Sequence, residues 1–155
     1  MSASTQKSFR PGERWPDDHD VHINAHGGGV LFHDGAHYWF GEHKIEGKTG
    51  NVAHVGVHVY SSRDLYNWKD EGVALAVSDD PKSPITRGCI LERPKVIFNA
   101  RTKKFVMWFH LEPKDAGYSG ALSGVAVADN VAGPYQFVKA FRPTRACGQK
   151  MYQPK

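Results

Sequence analysis

No stretch of this sequence approaches the roughly 20 consecutive apolar residues that a membrane-spanning helix requires, so no membrane partner is expected. Residues 1–13 are polar and carry no apolar core of the kind found in a secretory signal. Cysteine is scarce: Cys89 and Cys147 stand in no CxxC or metal-type spacing, which argues against a disulfide framework or a thiolate metal site. Charge of one sign is also thin. The 20 basic residues exceed the 16 acidic ones, for a formal net charge of +4, but they are scattered and the longest basic run is Lys103-Lys104. No stripe is present to track a phosphate backbone, and no nucleic-acid partner is expected. Apolar residues repeating at helical spacing are missing as well.

What remains is β in character. With 40% apolar residues the chain has enough material for a core and lacks the composition of a disordered segment. Its apolar runs are short, rich in β-branched and aromatic residues, and bounded by Gly, Asp and Asn. The clearest hairpin runs from Gly29-Val30-Leu31-Phe32 through His33-Asp34-Gly35 to Ala36-His37-Tyr38-Trp39-Phe40, with Asp-Gly supplying the positive φ of a tight turn. A second joins Pro94-Lys95-Val96-Ile97-Phe98 to Phe105-Val106-Met107-Trp108-Phe109. Each ends in a Trp-bearing strand followed by an acidic residue, Glu42 or Glu112. A further pair follows each hairpin: residues 55–62 leading to Tyr66-Asn67-Trp68, and residues 123–128 leading to Gly133-Pro134-Tyr135-Gln136-Phe137.

These hairpins form an internal repeat. Val30 to Val96 is 66 residues and Gly56 to Gly124 is 68, so each unit of about four strands recurs near every 67 residues. Four-stranded units repeating around an axis mark a β-propeller. The competing architecture is a small β-sandwich with two hairpin pairs face to face. Propellers carry about 4 to 8 blades, so on the propeller reading about two blades are present and the chain is expected to be a fragment.

Candidate chemistry concentrates in three places. The loop His22-Ile23-Asn24-Ala25-His26-Gly27-Gly28-Gly29 lets the backbone approach a ligand or a neighbouring strand closely. Its resemblance to an esterase oxyanion loop fails for want of a GxSxG nucleophile elbow, and a purely structural strand entry is the alternative. Two carboxylates border strands, Glu42 and Glu92, and glycosidases work with a pair of carboxyl groups flanking the scissile bond. Arg93 and Lys95 beside Glu92 are expected to favour its ionised form. Tyr38, Trp39, Trp108 and Tyr118 could stack on sugar rings, although strand aromatics equally build cores. Alternation puts Tyr38 and Phe40 on one face and Trp39 on the other. The nine histidines follow no metal-ligand spacing.

Taken together, the HINAHGGGV string from His22, the YWFGEHK string from Tyr38, Val59-Tyr60-Ser61-Ser62 with Asp64-Leu65 and Asn67-Trp68, the Glu92-Arg93-Pro94-Lys95-Val96 motif, and Gly124-Val125-Ala126-Val127 with Gly133-Pro134 carry a resemblance. They resemble the N-terminal half of glycoside hydrolase family 43, in its galactan β-1,3-galactosidase and β-galactosidase branch. The resemblance implies an all-β, partial five-bladed β-propeller. Residues 1–13 would be an N-terminal arm and 14–143 the incomplete glycosidase domain, with blade 1 about 26–75 and blade 2 about 90–143. Residues 144–155 no longer look like the family, which points to truncation or a shifted reading frame.

The resemblance further implies an exo-acting, inverting hydrolysis of terminal β-galactosyl residues. Glu92 would be the catalytic-pocket carboxylate and Glu42 a sugar-binding one. Tyr118 corresponds to a pocket tyrosine, and Arg93, Asn24 and His26 complete the substrate-binding set, the last two by proximity. The base Asp usual at the start of the first blade in the wider family is absent here, as it is in the galactanase branch. The general acid belongs to later blades, so the chain by itself is expected to be nearly inactive. A galactose-containing oligo- or polysaccharide is the expected partner. No cofactor is called for; calcium is compatible with a propeller axis, but no residue pattern indicates it. Relatives of this kind are usually secreted or periplasmic, and this N-terminus carries no address. A non-catalytic carbohydrate-binding β module is the alternative function. Open sheet edges would favour self-association in either case.

Overall fold

Asp34 and Gly35 both adopt positive φ, 48° and 76°, the geometry that a two-residue type I′ connection demands. They join β1 (His26–His33) to β2 (Ala36–His43) as the sequence predicts. The structure, a computed structural model, describes residues 5–48 and 50–142. Six more strands follow: β3 (Gly56–Ser62), β4 (Lys69–Ala76), β5 (Ile90–Asn99), β6 (Lys104–Glu112), β7 (Leu122–Ala128) and β8 (Gln136–Phe141). They form two four-stranded antiparallel sheets, each in simple sequential order. No strand is exchanged between the sheets, so a Greek-key sandwich does not describe them. Among the described residues there is no helix long and apolar enough to cross a membrane.

The fourth strand begins later than the sequence reading places it. Tyr66 and Asn67 belong to a bend and Trp68 makes only an isolated bridge to Asp17, because Asp64 organises the stretch: its Oδ1 accepts the N–H groups of Tyr66 (2.9 Å) and Asn67 (2.8 Å), and its Oδ2 accepts Asn67 Nδ2 (2.7 Å). A side chain that satisfies backbone donors in this way competes with strand pairing. The same bend anchors the N-terminal residues. Gln6 N–H donates to Asn67 Oδ1 at 2.7 Å, Asn67 Nδ2 returns a bond to Gln6 O at 2.9 Å, and the Phe9 ring lies 4.6 Å from that of Tyr66.

Register makes the internal repeat concrete. In the first sheet His26 pairs with Glu42 and Gly29 with Phe40, with a bulge between them; in the second Glu92 pairs with His110 and Lys95 with Trp108, again across a bulge. The offsets of 66 and 68 residues are those of the sequence repeat. One correspondence expected from sequence changes as a result. The counterpart of Glu42 is His110, not Glu112, and the counterpart of Trp39 is Met107, so the two hairpin tryptophans point to opposite faces of their sheets.

The main core lies between the sheets, with Phe40, Val57, Val59 and Leu75 on one side and Val96, Phe105, Met107, Phe109 and Leu111 on the other. Contacts between the sheets concentrate on β5, which lies against β1 and β2. A second cluster of Ile23, Ala25, Tyr60 and Trp68, joined by Trp15 and Trp39, covers the opposite face of the first sheet. Tyr38 and Phe40 accordingly pack into the main core and Trp39 into the second, as strand alternation requires. The outer face of the second sheet has no such cover among the described residues: Ile97 is 56% exposed and Trp108 42%. Cys89 is fully buried, and that burial pushes its thiol up to about 11. Cys147 and the whole of 144–155 lie outside the described residues.

Hydrogen bonds from Asn67 hold the Asp64 carboxyl down at about 2, against an ordinary 3.8. A group whose pKa is depressed on folding stabilises the fold above its unfolded value and loses that contribution as pH falls through the folded one. Asp64→Ala is therefore expected to lower the thermal midpoint at pH 7, and the difference from wild type should shrink between pH 4 and pH 2. Melting curves followed by circular dichroism across that range check it.

Candidate active site

The glycine-rich entry to β1 exists because it crosses the end of β2 at close range. A Cβ on Gly41 would lie 2.2 Å from the Ala25 carbonyl carbon, and one on Gly27, whose φ is +56°, would lie 2.7 Å from Glu42 Oε1. The side chain of Glu42 is thereby tucked under the bulge of β1 and is 7% exposed. From the second sheet, Arg93 sits in the β5 bulge with a φ of 54° and directs its backbone N–H to Glu42 Oε1 at 2.9 Å. The loop is thus the structural strand entry and, at the same time, the roof over a buried carboxylate.

From Glu42 a ring of polar contacts leads to Glu92. Lys44 Nζ lies 2.7 Å from Glu42 Oε2 and, at a long 3.5 Å, donates to Asn51 Oδ1. Asn51 Nδ2 donates to the Tyr118 hydroxyl at 2.6 Å, and that hydroxyl donates to Glu92 Oε1 at 2.6 Å. Glu92 is 5% exposed and immediately precedes Arg93, which closes the ring on Glu42. The ring draws on both sheets and on the loops that leave β2 and β6. Burying two carboxylates is costly unless each is compensated, and here an ammonium, a backbone N–H and a phenol do so. The hydrogen bond that it donates to Glu92 is the main reason that the Tyr118 phenol lies above its ordinary value.

The residues singled out from sequence take different places around this ring. Glu42, Glu92 and Tyr118 are brought together directly. Arg93 contributes its backbone N–H and also lines a shallow depression with Lys95, Trp108 and His110. Asn24 faces Lys44: its Nδ2 donates to Lys44 O at 2.6 Å and its Oδ1 accepts Lys44 N–H at 2.8 Å, so its amide is engaged in fixing the lysine. His26 pairs with Glu42 across the strands and is exposed.

Neither Arg93 nor Lys95 forms an ion pair with Glu92 among the described residues. The bulge turns the Arg93 amide toward Glu42, and Lys95 Nζ reaches the other way to Gly28 O at 2.9 Å and Gly27 O at 3.3 Å.

Three participants were missed from sequence. Lys44 could have been found, since it follows Glu42 by two residues and strand alternation keeps such a pair on one side. Asn51 lies on a loop and has no spacing signal. Glu112, completely buried, accepts the Ala121 N–H at 3.0 Å on each oxygen and so closes the 113–121 loop that carries Tyr118. His110 Nε2 is 3.0 Å from Glu112 Oε1 but is not aimed at it, and the His110 ring stacks on Tyr118 at 6.0 Å.

Elsewhere, His43, His58 and Asp70 form a line on the other face of the first sheet, with His43 Nδ1 2.9 Å from His58 Nδ1 and His58 Nε2 2.6 Å from Asp70 Oδ1. Burial, and then the neighbouring His58, lower the His43 value. Asp17, Asp18 and His19 bring three donor atoms within 4.8 Å of one another, the set among the described residues that could hold a metal ion. Asp18 and His19 are exposed, and Asp18 Oδ1 also accepts the Asp70 N–H at the start of β4.

Comparison with solved structures gives this arrangement a context. A GH43 β-1,3-galactosidase solved with galactodeoxynojirimycin is 56% identical over 83% of this chain and 37% of its own, with a TM-score of 0.80. The chain belongs to glycoside hydrolase family 43. A second GH43 β-1,3-galactosidase is 44% identical over 87% of this chain and 28% of its own, with a TM-score of 0.76. The exo-β-1,3-galactanase of Phanerochaete chrysosporium, solved with galactose, is 36% identical over 85% of this chain and 29% of its own, also at 0.76. The chain therefore spans little more than a third of the length of these family 43 glycosidases, or less. No protein-family profile matches it, and neither does any curated protein sequence.

The close approach at Gly41 is open to a direct check. Overpacking a filled site costs about 1–3 kcal/mol and occasionally more, and here the obstacle is backbone and cannot swing aside. Gly41→Ala is expected to destabilise the chain by about 3 kcal/mol or to prevent folding, whereas Gly35→Ala, which meets nothing within 4 Å, should cost only the strain of its positive φ. Urea unfolding of the two variants distinguishes them.

Proposed function

We propose that this chain carries part of the sugar pocket of an exo-acting, inverting glycosidase for terminal β-1,3-linked galactose. The observation that carries the reading is the buried pair Glu42 and Glu92, joined in one polar ring, in a chain 56% identical to a β-1,3-galactosidase. In the proposed reaction water adds to the anomeric carbon as the bond to the leaving sugar oxygen breaks. A general acid protonates that oxygen, and a carboxylate assists removal of a proton from water. Glu92 takes the place near the scissile centre, Glu42 holds sugar hydroxyls, and Tyr118 borders the same pocket. The general acid is not among the residues of this ring and comes, on this reading, from parts of the domain outside the matched third.

The fold reading belongs with it. The two sheets are proposed as consecutive blades of a five-bladed propeller. The repeat offset supports this: the face of the first sheet that bears Phe40 is covered by the second sheet, and its counterpart on the second sheet bears the exposed Trp108. A third sheet packed there would continue the pattern.

Two outcomes are expected. Catalytic pockets bind transition-state mimics far more tightly than substrates, while a plain sugar-binding module has no reason to. In calorimetric titration the chain should bind galactodeoxynojirimycin at least about tenfold more tightly than galactose, and Glu92→Gln should remove the preference. Equal affinities would favour the non-catalytic module, and absence of binding would sink both. Separately, sedimentation velocity should show concentration-dependent association of the chain, weakened by Trp108→Glu. A monomer at every concentration would count against an uncovered blade face.

A further inference from the structure

Asn51 belongs to no motif and touches neither carboxylate, yet its amide hydrogen-bonds the hydroxyl that meets Glu92. Tyr118 is 57% exposed, so packing does little to fix its ring beyond the stack on His110. Its hydroxyl nevertheless makes two short contacts, accepting from Asn51 Nδ2 and donating to Glu92 Oε1, each at 2.6 Å. A phenol has one proton to give. With Asn51 supplying a donor on one side, that proton is directed to Glu92. The Asn51 amide is itself oriented, because its Oδ1 faces the Lys44 ammonium, and Lys44 is held at both backbone groups by Asn24.

We propose that Asn51 is a positioning residue that keeps the Tyr118 hydroxyl on Glu92 Oε1 and so leaves Glu92 Oε2 as the oxygen offered to sugar or water. Among the described residues Oε2 accepts no hydrogen bond. Asn51 lies on the loop leaving β2 and Tyr118 on the loop leaving β6, so the contact also straps the two sheets together above the carboxylates. The statement about Oε2 rests on the glycosidase reading. The action of Asn51 on Tyr118 does not.

The Tyr118 phenol reports on this with a sign. Its pKa is raised chiefly by the hydrogen bond to Glu92, while the bond from Asn51 acts in the lowering direction. If Asn51 positions the ring, Asn51→Ala frees it from Glu92 and the phenol midpoint falls toward the ordinary tyrosine value. If other contacts hold the ring, removing the Asn51 donor leaves the Glu92 bond in place and the midpoint rises. Carbon NMR of the ring-labelled full chain, with Tyr118→Phe assigning the signal, reads the difference. A fall is expected; an unchanged or raised midpoint overturns the proposal. Asn51→Ser, whose hydroxyl is too short to reach the phenol, gives the same test if the alanine variant does not fold. A fall in the variant with no iminosugar binding by the parent chain would keep the positioning role and defeat the glycosidase reading, and the reverse pair of results would do the opposite.

Discussion

The carboxylate of Glu42 is the joint on which the two sheets turn. Its Oε1 accepts a backbone N–H from the β5 bulge of the other sheet, and its Oε2 meets the Lys44 ammonium. A buried carboxylate left without partners is costly, so each feature that supplies a partner is constrained in turn. Arg93 must hold a positive φ to aim its amide, Gly27 must lack a side chain to let the strand pass over, and Asn24 must hold Lys44 in place. The polar joint and the apolar core between the sheets therefore depend on one another: the core brings β5 against β1 and β2, and the joint sets their relative position at the strand ends.

The same joint makes the two repeat units unequal. Equivalent register positions hold His26 and Glu42 in the first sheet and Glu92 and His110 in the second. Each unit thus contributes one carboxylate and one imidazole, but on exchanged strands. That exchange is why Glu42 and Glu92 converge on one ring although the backbone repeats regularly. Loops complete the ring, with Asn51 and Tyr118 reaching toward each other from the two sheets. The two carboxylates stand on strands while Asn51 and Tyr118 come from loops, so the sheets hold the fold together and the loops supply the groups that meet the carboxylates.

Much of this was legible in the residues themselves. The Asp34-Gly35 turn, the two hairpins, the 66- and 68-residue offsets and the alternation of Tyr38, Trp39 and Phe40 are local or periodic properties, and local chemistry dictates them without reference to the rest of the chain. Glu42 and Glu92 could be picked out because both sit in distinctive strings at strand borders. The bend at 64–67 was less legible, since Tyr66-Asn67-Trp68 has strand-like composition and only the Asp64 hydrogen bonds show that a bend wins.

What the sequence by itself determined is the class of element, the repeat and the two carboxylates worth watching. Only the tertiary structure decided which groups face those carboxylates. Arg93 and Lys95 closely follow Glu92 in the chain, yet the bulge sends one amide to Glu42 and the ammonium to β1, and Glu92 is met instead by Tyr118, 26 residues away. Sequence proximity gives the charge of a neighbourhood. Direction depends on bulges, positive φ angles and the approach of a second sheet, which are long-range consequences of packing and cannot be read from adjacent letters.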